Sequence, residues 1–485
     1  MADNLRSKAF SGVAWKLIER FSVELFGFIV GIILARKLDP SDYGLVAMTA
    51  IFFSISYLLI DAGFSTALVR KKDRTEIDYS TAYLTNIVLS LLFSVLLVLG
   101  APWMARFYGE PRLVAIVSVN ALIVFLGSFI AVQNVRLSIN LEFKKQSVIN
   151  VICSVVNGLL AIAMALAGYG YWALIIPSGI VLFLRGALYW KAQRWFPKLA
   201  FSVSSFKEMF SFGFKIMLTA IIKAAYANIY SLVIGKKYNA TDLGYYNRGN
   251  SYALLPSNTV ANTLGSVSYP ILSKINDDPD RLASAYRRMI GLAGYVVFPV
   301  MIGLAVLARP FVIALVTDKW EACVPYLQVL CFALMWEPIH SLNYNLLQTT
   351  GRADLRLRVE IFQKILCVAV LFITIPRGIL IMCFGSVAVA VLSLLINTYY
   401  TGKLINVGFA SQMRDLLPSL LYSVVMGLTV WLCTRSISSV YLQLLVGIPL
   451  GVALYWGISK IVKSKDYDYL LVLVRENVIN RLKKR

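Results

Sequence analysis

Apolar runs about 20 residues long recur along almost the whole chain, and no other feature constrains the fold as much. A helix needs a run of that length to cross the ~30 Å hydrocarbon core of a bilayer. About fourteen segments meet the rule: 14–36, 43–68, 82–105, 113–135, 146–168, 170–190, 209–234, 248–272, 289–308, 323–348, 359–376, 378–401, 416–434 and 440–460. The segment 248–272 is polar and 359–376 is short. Both are retained, because polar helices are expected where a bundle lines water. The chain reads as an all-α polytopic membrane protein of about fourteen transmembrane helices. Composition agrees: 15% of residues are charged and the mean hydropathy is +0.71, whereas a soluble domain carries about 25% charge. That balance excludes most soluble enzymes.

The excess of 47 Lys+Arg over 25 Asp+Glu fits basic cytoplasmic loops, and no nucleic-acid partner is expected. One set of connections holds Arg70, Lys71, Lys72 and Arg74; Arg136, Lys144 and Lys145; Arg185, Lys191, Arg194, Lys198 and Lys207; Lys274, Arg281, Arg287 and Arg288; Arg352, Arg356, Arg358 and Lys364. The N-terminus adds Arg6 and Lys8, and the tail is basic from Lys460 to Arg485. The alternate loops, such as Gly168-Tyr169-Gly170, are poor in charge. Both termini are therefore expected in the cytoplasm, as an even number of spans requires. The first fifteen residues hold no apolar h-region and are not read as a cleaved signal peptide.

Enzyme chemistry finds little support. The six cysteines are scattered without a C-x-x-C pair, and His340 is the only histidine. No Walker phosphate loop is present. Asp278-Pro279-Asp280 and Asp466-Tyr467-Asp468 resemble the metal-binding D-x-D of glycosyltransferases, but neither has a nucleotide-binding domain around it. No cofactor or metal is expected.

An internal repeat organises the spans. Residues 35–44 read ARKLDPSDYG and residues 235–244 read GKKYNATDLG, which aligns Arg36 with Lys236, Asp42 with Asp242 and Gly44 with Gly244 at an offset of 200. Each copy holds a basic pair, a helix-capping segment and a glycine. The expected organisation is two pseudo-symmetric six-helix lobes, 1–200 and 201–405, with two further helices in 406–463 and a basic tail in 464–485. Parallel repeats of this kind are common in transporters, with the substrate site between the halves.

The first helix of each half carries a matching polar stripe. Lys16, Arg20, Glu24, Gly27 and Gly31 have the same spacing as Lys215, Thr219, Lys223, Tyr226 and Tyr230, and each set covers about 80° of a helix. Charges within spans face a cavity or a partner. Lys223 lies deepest and is the best single candidate for a cavity cation. Lys16 and Lys215 can snorkel to the interface. Asp61 shares a face with Ser54, Tyr57 and Ser65 and needs a partner, for which Arg20 or Lys223 would serve. A structural ion pair and a proton-coupling role are equally open for it. Arg248, Asn258 and Asn262 on the eighth helix suit sugar hydroxyls or phosphate, and equally suit helix–helix contacts. His340 reads as a hydrogen-bonded structural residue.

Several motifs carry a resemblance. FSGVAW (Phe10–Trp15), ILARKLDPSDYGLVAM (Ile33–Met48), DAGFSTALVRK (Asp61–Lys71), LGYYNRGNSYALLP (Leu243–Pro256) and SVSYPILSK (Ser266–Lys274) are similar to the polysaccharide transporter family. Within it the chain resembles the colanic-acid and lipopolysaccharide exporters of the multidrug/oligosaccharidyl-lipid/polysaccharide exporter superfamily. The resemblance implies two six-helix lobes, alternating access, a bacterial inner-membrane location, and passage of an undecaprenyl-pyrophosphate-linked oligosaccharide between leaflets. It also implies a cationic cavity, for which Lys215, Lys223, Arg248 and Arg20 fit, with Asp61 and Glu24 as charge-pairing or coupling groups. Asn258 and Asn262 join the substrate-binding candidates, and polysaccharide-assembly proteins are candidate partners. A cation-coupled multidrug antiporter is the alternative, and would want a net acidic cavity. A membrane glycosyltransferase or polymerase would want a large loop or a sugar-nucleotide site, and neither is visible.

Overall fold

A computed structural model describes the backbone of residues 2–474 and the side chains of these residues except 2–10, 13, 353, 473 and 474. The basic tail from Arg475 onward and the side chains of Arg6 and Lys8 lie outside the described residues. Among the described residues the chain is helical, without strands. It divides into two compact units, Met1–Gly244 and Tyr245–Arg485.

The first unit holds α1 (Ala2–Lys37), α2 (Pro40–Asp61), α3 (Phe64–Arg70), α4 (Glu76–Tyr108), α5 (Leu113–Ile139), α6 (Phe143–Leu166), α7 (Ile176–Gln193), α8 (Val203–Ala227), α9 (Ile229–Lys237) and the start of α10 (Ala240–Lys274). The second holds the rest of α10, α11 (Pro279–Val306), α12 (Ala308–Val316), α13 (Val324–Leu334), α14 (Glu337–Thr349), α15 (Ala353–Thr374), α16 (Ile379–Ile405), α17 (Phe409–Thr434), α18 (Val440–Ile461) and the short α19 (Lys465–Val474). Every span expected from the sequence falls on a helix or a broken helix pair. Twelve helical segments among the described residues are long and apolar enough to cross a bilayer. The polar helices α1 and α10 are also long enough, with 36 and 35 residues. The outer faces of the helices display Trp103, Phe183, Phe362 and Leu445, as a lipid-facing surface requires.

The unit boundary at 244 lies well past residue 200, because α8 packs into the first unit. Met209 and Met217 of α8 join Phe64, Leu68, Tyr83 and Trp195 in one buried cluster. The last two helices are likewise integral to the second unit: Met426, Val430 and Tyr455 pack with Tyr295 of α11. Polar side chains stitch this unit internally. Tyr286 donates to Asn343 Oδ1 at 2.8 Å, Gln412 donates to Thr401 Oγ1 at 2.8 Å, and His340 Nδ1 lies 3.0 Å from Asn397 Nδ2. All six cysteines are free thiols. Asp278 of the D-x-D segment caps α11 by accepting the Arg281 N–H at 3.0 Å.

The repeated loops fold alike. Asp42 accepts the Asp39 N–H at 3.0 Å at the start of α2, and Asn239 accepts the Asp242 N–H at 2.8 Å at the start of α10. These bonds satisfy donors that a helix N-terminus leaves open. The loops also pack on each other. A Cβ added at Gly44 would lie 1.6 Å from the Ala240 carbonyl oxygen, and one at Gly244 would lie 1.9 Å from the Pro40 carbonyl oxygen. Residues 40 and 240 correspond at the repeat offset, as do 44 and 244, so the contact is reciprocal and only glycine fits either position.

At its other end α2 is fastened to α8. Ala62 and Gly63 both adopt left-handed backbone, with φ of 43° and 75°, and break α2 from α3. A Cβ at Gly63 would lie 2.5 Å from the Gly213 backbone. Beside this contact Lys71 bridges Asp78 and Glu208, each at 2.9 Å, and the Arg70 guanidinium lies 4.2 Å from the Phe212 ring centroid. Glu208 and then Asp78 hold the Lys71 ammonium above the usual lysine range. Helical rise makes the path from Gly44 to Gly63 ~28 Å and the path from Gly213 to Ala240 ~40 Å. The longer path cannot lie straight along the shorter one. It breaks at Asn228, between α8 and α9, and the middle of α8 stays exposed at Leu218, Thr219, Ile222 and Lys223.

Candidate functional site

Two adjoining cavities lie inside the first unit. One, of about 770 Å³, is lined by Lys16, Glu19, Arg20 and Glu24 of α1, Tyr57 of α2, Asn150 and Asn157 of α6 and Arg185 of α7, among others. The second, of about 530 Å³, shares Tyr57, Asn150, Leu182 and Arg185 with the first, and adds Asp61, Asn86, Asn134 and Tyr189. These volumes are in the range of ligand sites.

A hydrogen-bonded chain sets the walls. Glu19 accepts from Lys16 at 2.8 Å, from Ser147 at 2.7 Å and from Asn150 at 2.7 Å, which fixes α1 to α6. The Tyr189 hydroxyl lies 3.2 Å from Asn150 Oδ1 and 3.1 Å from Asn134 Oδ1. Gln146 donates to the same Asn134 oxygen at 2.6 Å. Within this frame three buried atoms have no hydrogen-bond partner: Arg185 Nε, Asn86 Oδ1 and Asn157 Oδ1. Leaving such an atom unmet costs roughly 1–3 kcal/mol. Among the described residues Arg185 has no carboxylate within ion-pair distance.

The site gathers some of the residues expected from sequence and not others. Arg20 and Glu24 are both in the larger cavity and pair with each other at 2.8 Å, half exposed. Asp61 lines the smaller one, but the expected pairing with Arg20 or Lys223 is corrected. Its carboxylate accepts from the Ser65 hydroxyl and from the Ser65 N–H, the latter at 3.3 Å. The break at Ala62-Gly63 opens the N-terminus of α3, and Asp61 is the nearest acceptor for its donors. Lys215 sits apart, in a cavity of about 660 Å³ with Arg70, Lys71, Lys72, Asp73 and Glu208. Arg248, Asn258 and Asn262 belong to α10 in the second unit. There the Arg248 guanidinium stacks on the Trp320 ring at 4.7 Å and on Tyr252 at 5.6 Å. Asn258 is half-buried and Asn262 exposed.

Lys223 is exposed on α8. At about 100° per residue α8 has three faces. Met209, Gly213 and Met217 pack inward, and Phe210, Phe214, Leu218 and Ile222 form an exposed apolar face. Lys215, Thr219, Lys223 and Tyr226 form a third, polar stripe, about 120° from each of the other two. Lys223 therefore does not share the apolar face. Among the described residues neither Lys215 nor Lys223 has a carboxylate within ion-pair distance.

The sequence groups Arg185 with the loop charges, but in the structure it lies within α7, eight residues before the helix ends at Gln193, and lines both cavities. The available signal was an arginine inside an apolar run, which is itself a mark of function. Glu19, between Lys16 and Arg20, and the α4–α6 amides gave no spacing signal.

Comparison with known proteins adds the family. The chain is 25% identical to the teichuronic acid biosynthesis protein TuaB of Bacillus subtilis (strain 168) over 429 residues, covering 88% of this chain and 89% of that one. It is 25% identical to the lipopolysaccharide biosynthesis protein WzxC of Escherichia coli (strain K12) over 384 residues, covering 76% of each. Its fold is similar to that of the lipid II flippase MurJ in an inward closed conformation, with a TM-score of 0.75 at 14% identity, covering 95% of this chain and 100% of that one. The family described as polysaccharide biosynthesis protein matches residues 33–325, more than half of the sequence, and the chain belongs to that family.

Proposed function

We propose that this protein is a flippase that carries an undecaprenyl-pyrophosphate-linked oligosaccharide from the cytoplasmic to the outer leaflet of a bacterial inner membrane. The observation that carries the reading is an intramembrane cation without a carboxylate in ion-pair distance among the described residues, Lys223 on the polar α8 stripe. A cation of this kind attracts a pyrophosphate more strongly in a low-dielectric cavity than in water. Arg20 is tempered by Glu24 and Lys16 by Glu19, so the site can bind the anion and still release it. A drug-cation antiporter would want the opposite surplus of charge.

The transport cycle is alternating access by two six-helix repeats, with both termini cytoplasmic and the 168–171 and 235–243 loops outside. Family membership and the likeness to MurJ support transport; the charge asymmetry of the loops supports the orientation. The test is reconstitution of the purified protein in liposomes with a lipid-linked oligosaccharide in the inner leaflet, read by access of an external glycan-binding probe. Transfer above that of protein-free liposomes supports the reading, and its absence with correctly inserted protein rejects it.

A further inference from the structure

We propose that the smaller cavity of the first unit is a subsite for sugar hydroxyls. It would hold the glycan of the substrate, separately from the cations that draw the pyrophosphate. The inference rests on the flippase reading above. Its basis is the set of unmet atoms. Asn86 is 2% exposed, lines the smaller cavity, and its Oδ1 has no partner. Arg185 Nε, in the same cavity, is a donor without an acceptor, and Asn157 Oδ1 in the adjoining cavity is an acceptor without a donor. The Asp61 carboxylate on the same wall accepts from Ser65 and from the Gly63 N–H, and a carboxylate has room for further donors.

The mixture selects the ligand class. A metal cation would satisfy the acceptors but would meet the Arg185 charge. A phosphate would satisfy Arg185 but would meet Asp61 and the amide oxygens. A hydroxyl donates and accepts at once, so a polyol can answer Asn86, Asp61 and Arg185 together. The half-exposed Tyr57 ring at the junction of the two cavities adds an apolar platform. The site is also rigid, because the Glu19–Asn150–Tyr189–Asn134 chain holds three of its walls, which lowers the ordering cost of binding.

Binding to the full-length protein in nanodiscs tests this with two probes, undecaprenyl pyrophosphate and the lipid-linked repeat unit extracted from the producing strain. The wild type should bind the glycosylated lipid more tightly than the bare one. Asn86→Leu removes the acceptor at similar volume, and should cut affinity for the glycosylated lipid about tenfold with the bare lipid unchanged. Arg185→Lys keeps the charge and removes the Nε–H, and should act the same way even where the leucine variant fails to fold. Variants that keep the wild-type preference would show that water fills the cavity and would overturn the subsite. Equal binding of both lipids by the wild type would also overturn it, leaving the flippase reading intact. Binding of neither lipid by folded wild type would reject the flippase reading as well.

Discussion

The two copies of the repeat treat their loops alike and their stripes differently. In both loops a short polar side chain caps the following helix and a glycine sits on a carbonyl of the other copy. The stripes share their spacing only. On the α1 stripe both cations have a carboxylate on their own helix, Lys16 with Glu19 and Arg20 with Glu24, each at 2.8 Å. On α8 the single acid is Glu208, and Lys71 engages it. Pairs such as those on α1 stabilise a helix by only ~0.3–0.5 kcal/mol. Their effect is to neutralise α1 in place, and the lack of such pairs leaves α8 charged. Spacing reports which face a residue occupies, whereas function depends on whether its charge is already answered.

Replacing the α8 cation should have the largest effect. Lys223→Ala is expected to lower transport at least ~100-fold, in the range of a lost charge-assisted bond at a desolvated site. Membrane levels should be unchanged because the side chain is exposed, and Lys223→Arg should keep part of the activity. An alanine variant that transports at the wild-type rate would remove the contrast between the stripes.

Next comes the backbone contact. Gly44→Ala and Gly244→Ala should each destabilise the protein by about 1–3 kcal/mol, as overpacking does, and by similar amounts, since the contact is reciprocal. Thermal unfolding of the purified variants reads this; a large effect at one position alone would show that the loops are not equivalent.

Giving α8 the chemistry of α1 should have a smaller effect. Thr219→Glu places a carboxylate four residues before Lys223, a favourable helical pairing, and transport should fall ~10-fold as the lysine is partly neutralised. Conversely, Glu24→Gln frees Arg20 and should change transport less than ~3-fold, given how little an exposed pair contributes. A loss as deep as that of Lys223→Ala would mean that α1, too, depends on its charge balance.

The smallest effect concerns the Lys71–Glu208 bridge. Its partners raise the Lys71 value above that of an ordinary lysine. The contribution is therefore fully present below the ordinary lysine value and is lost only as pH rises through the raised one. Stability should not respond to Lys71 between roughly pH 6 and 9. Glu208→Gln, which removes only the exposed partner, should cost ~0–1 kcal/mol, and less in high salt.

Much of the fold was legible because bilayer thickness fixes span length, so each apolar run from 14–36 to 440–460 found its helix. The unit boundary was not legible. Whether α8 packs with its own repeat or with α2 depends on Met209, Met217 and Gly213 meeting distant partners, which hydropathy does not encode. Within the site, charges inside spans were visible as residues, but their partners were not. Asp61 turned to the nearby Ser65 because a helix break one residue later left donors in need, and Arg185 was hidden among loop charges because counting by connection overlooks depth. The stack of Arg248 on Trp320, some seventy residues on, was not legible either.

The reciprocal glycine contact also bears on how two such copies can drift apart. Away from such contacts the copies differ, and the α1 and α8 stripes carry different side chains. At positions 40, 44, 240 and 244 each copy is the other's surroundings. Any atom added to one side must be absorbed by the opposite loop, two hundred residues away in the chain. Changes there are felt on both sides of the contact. The short motif that reveals the repeat thus lies where the two loops are each other's packing partner.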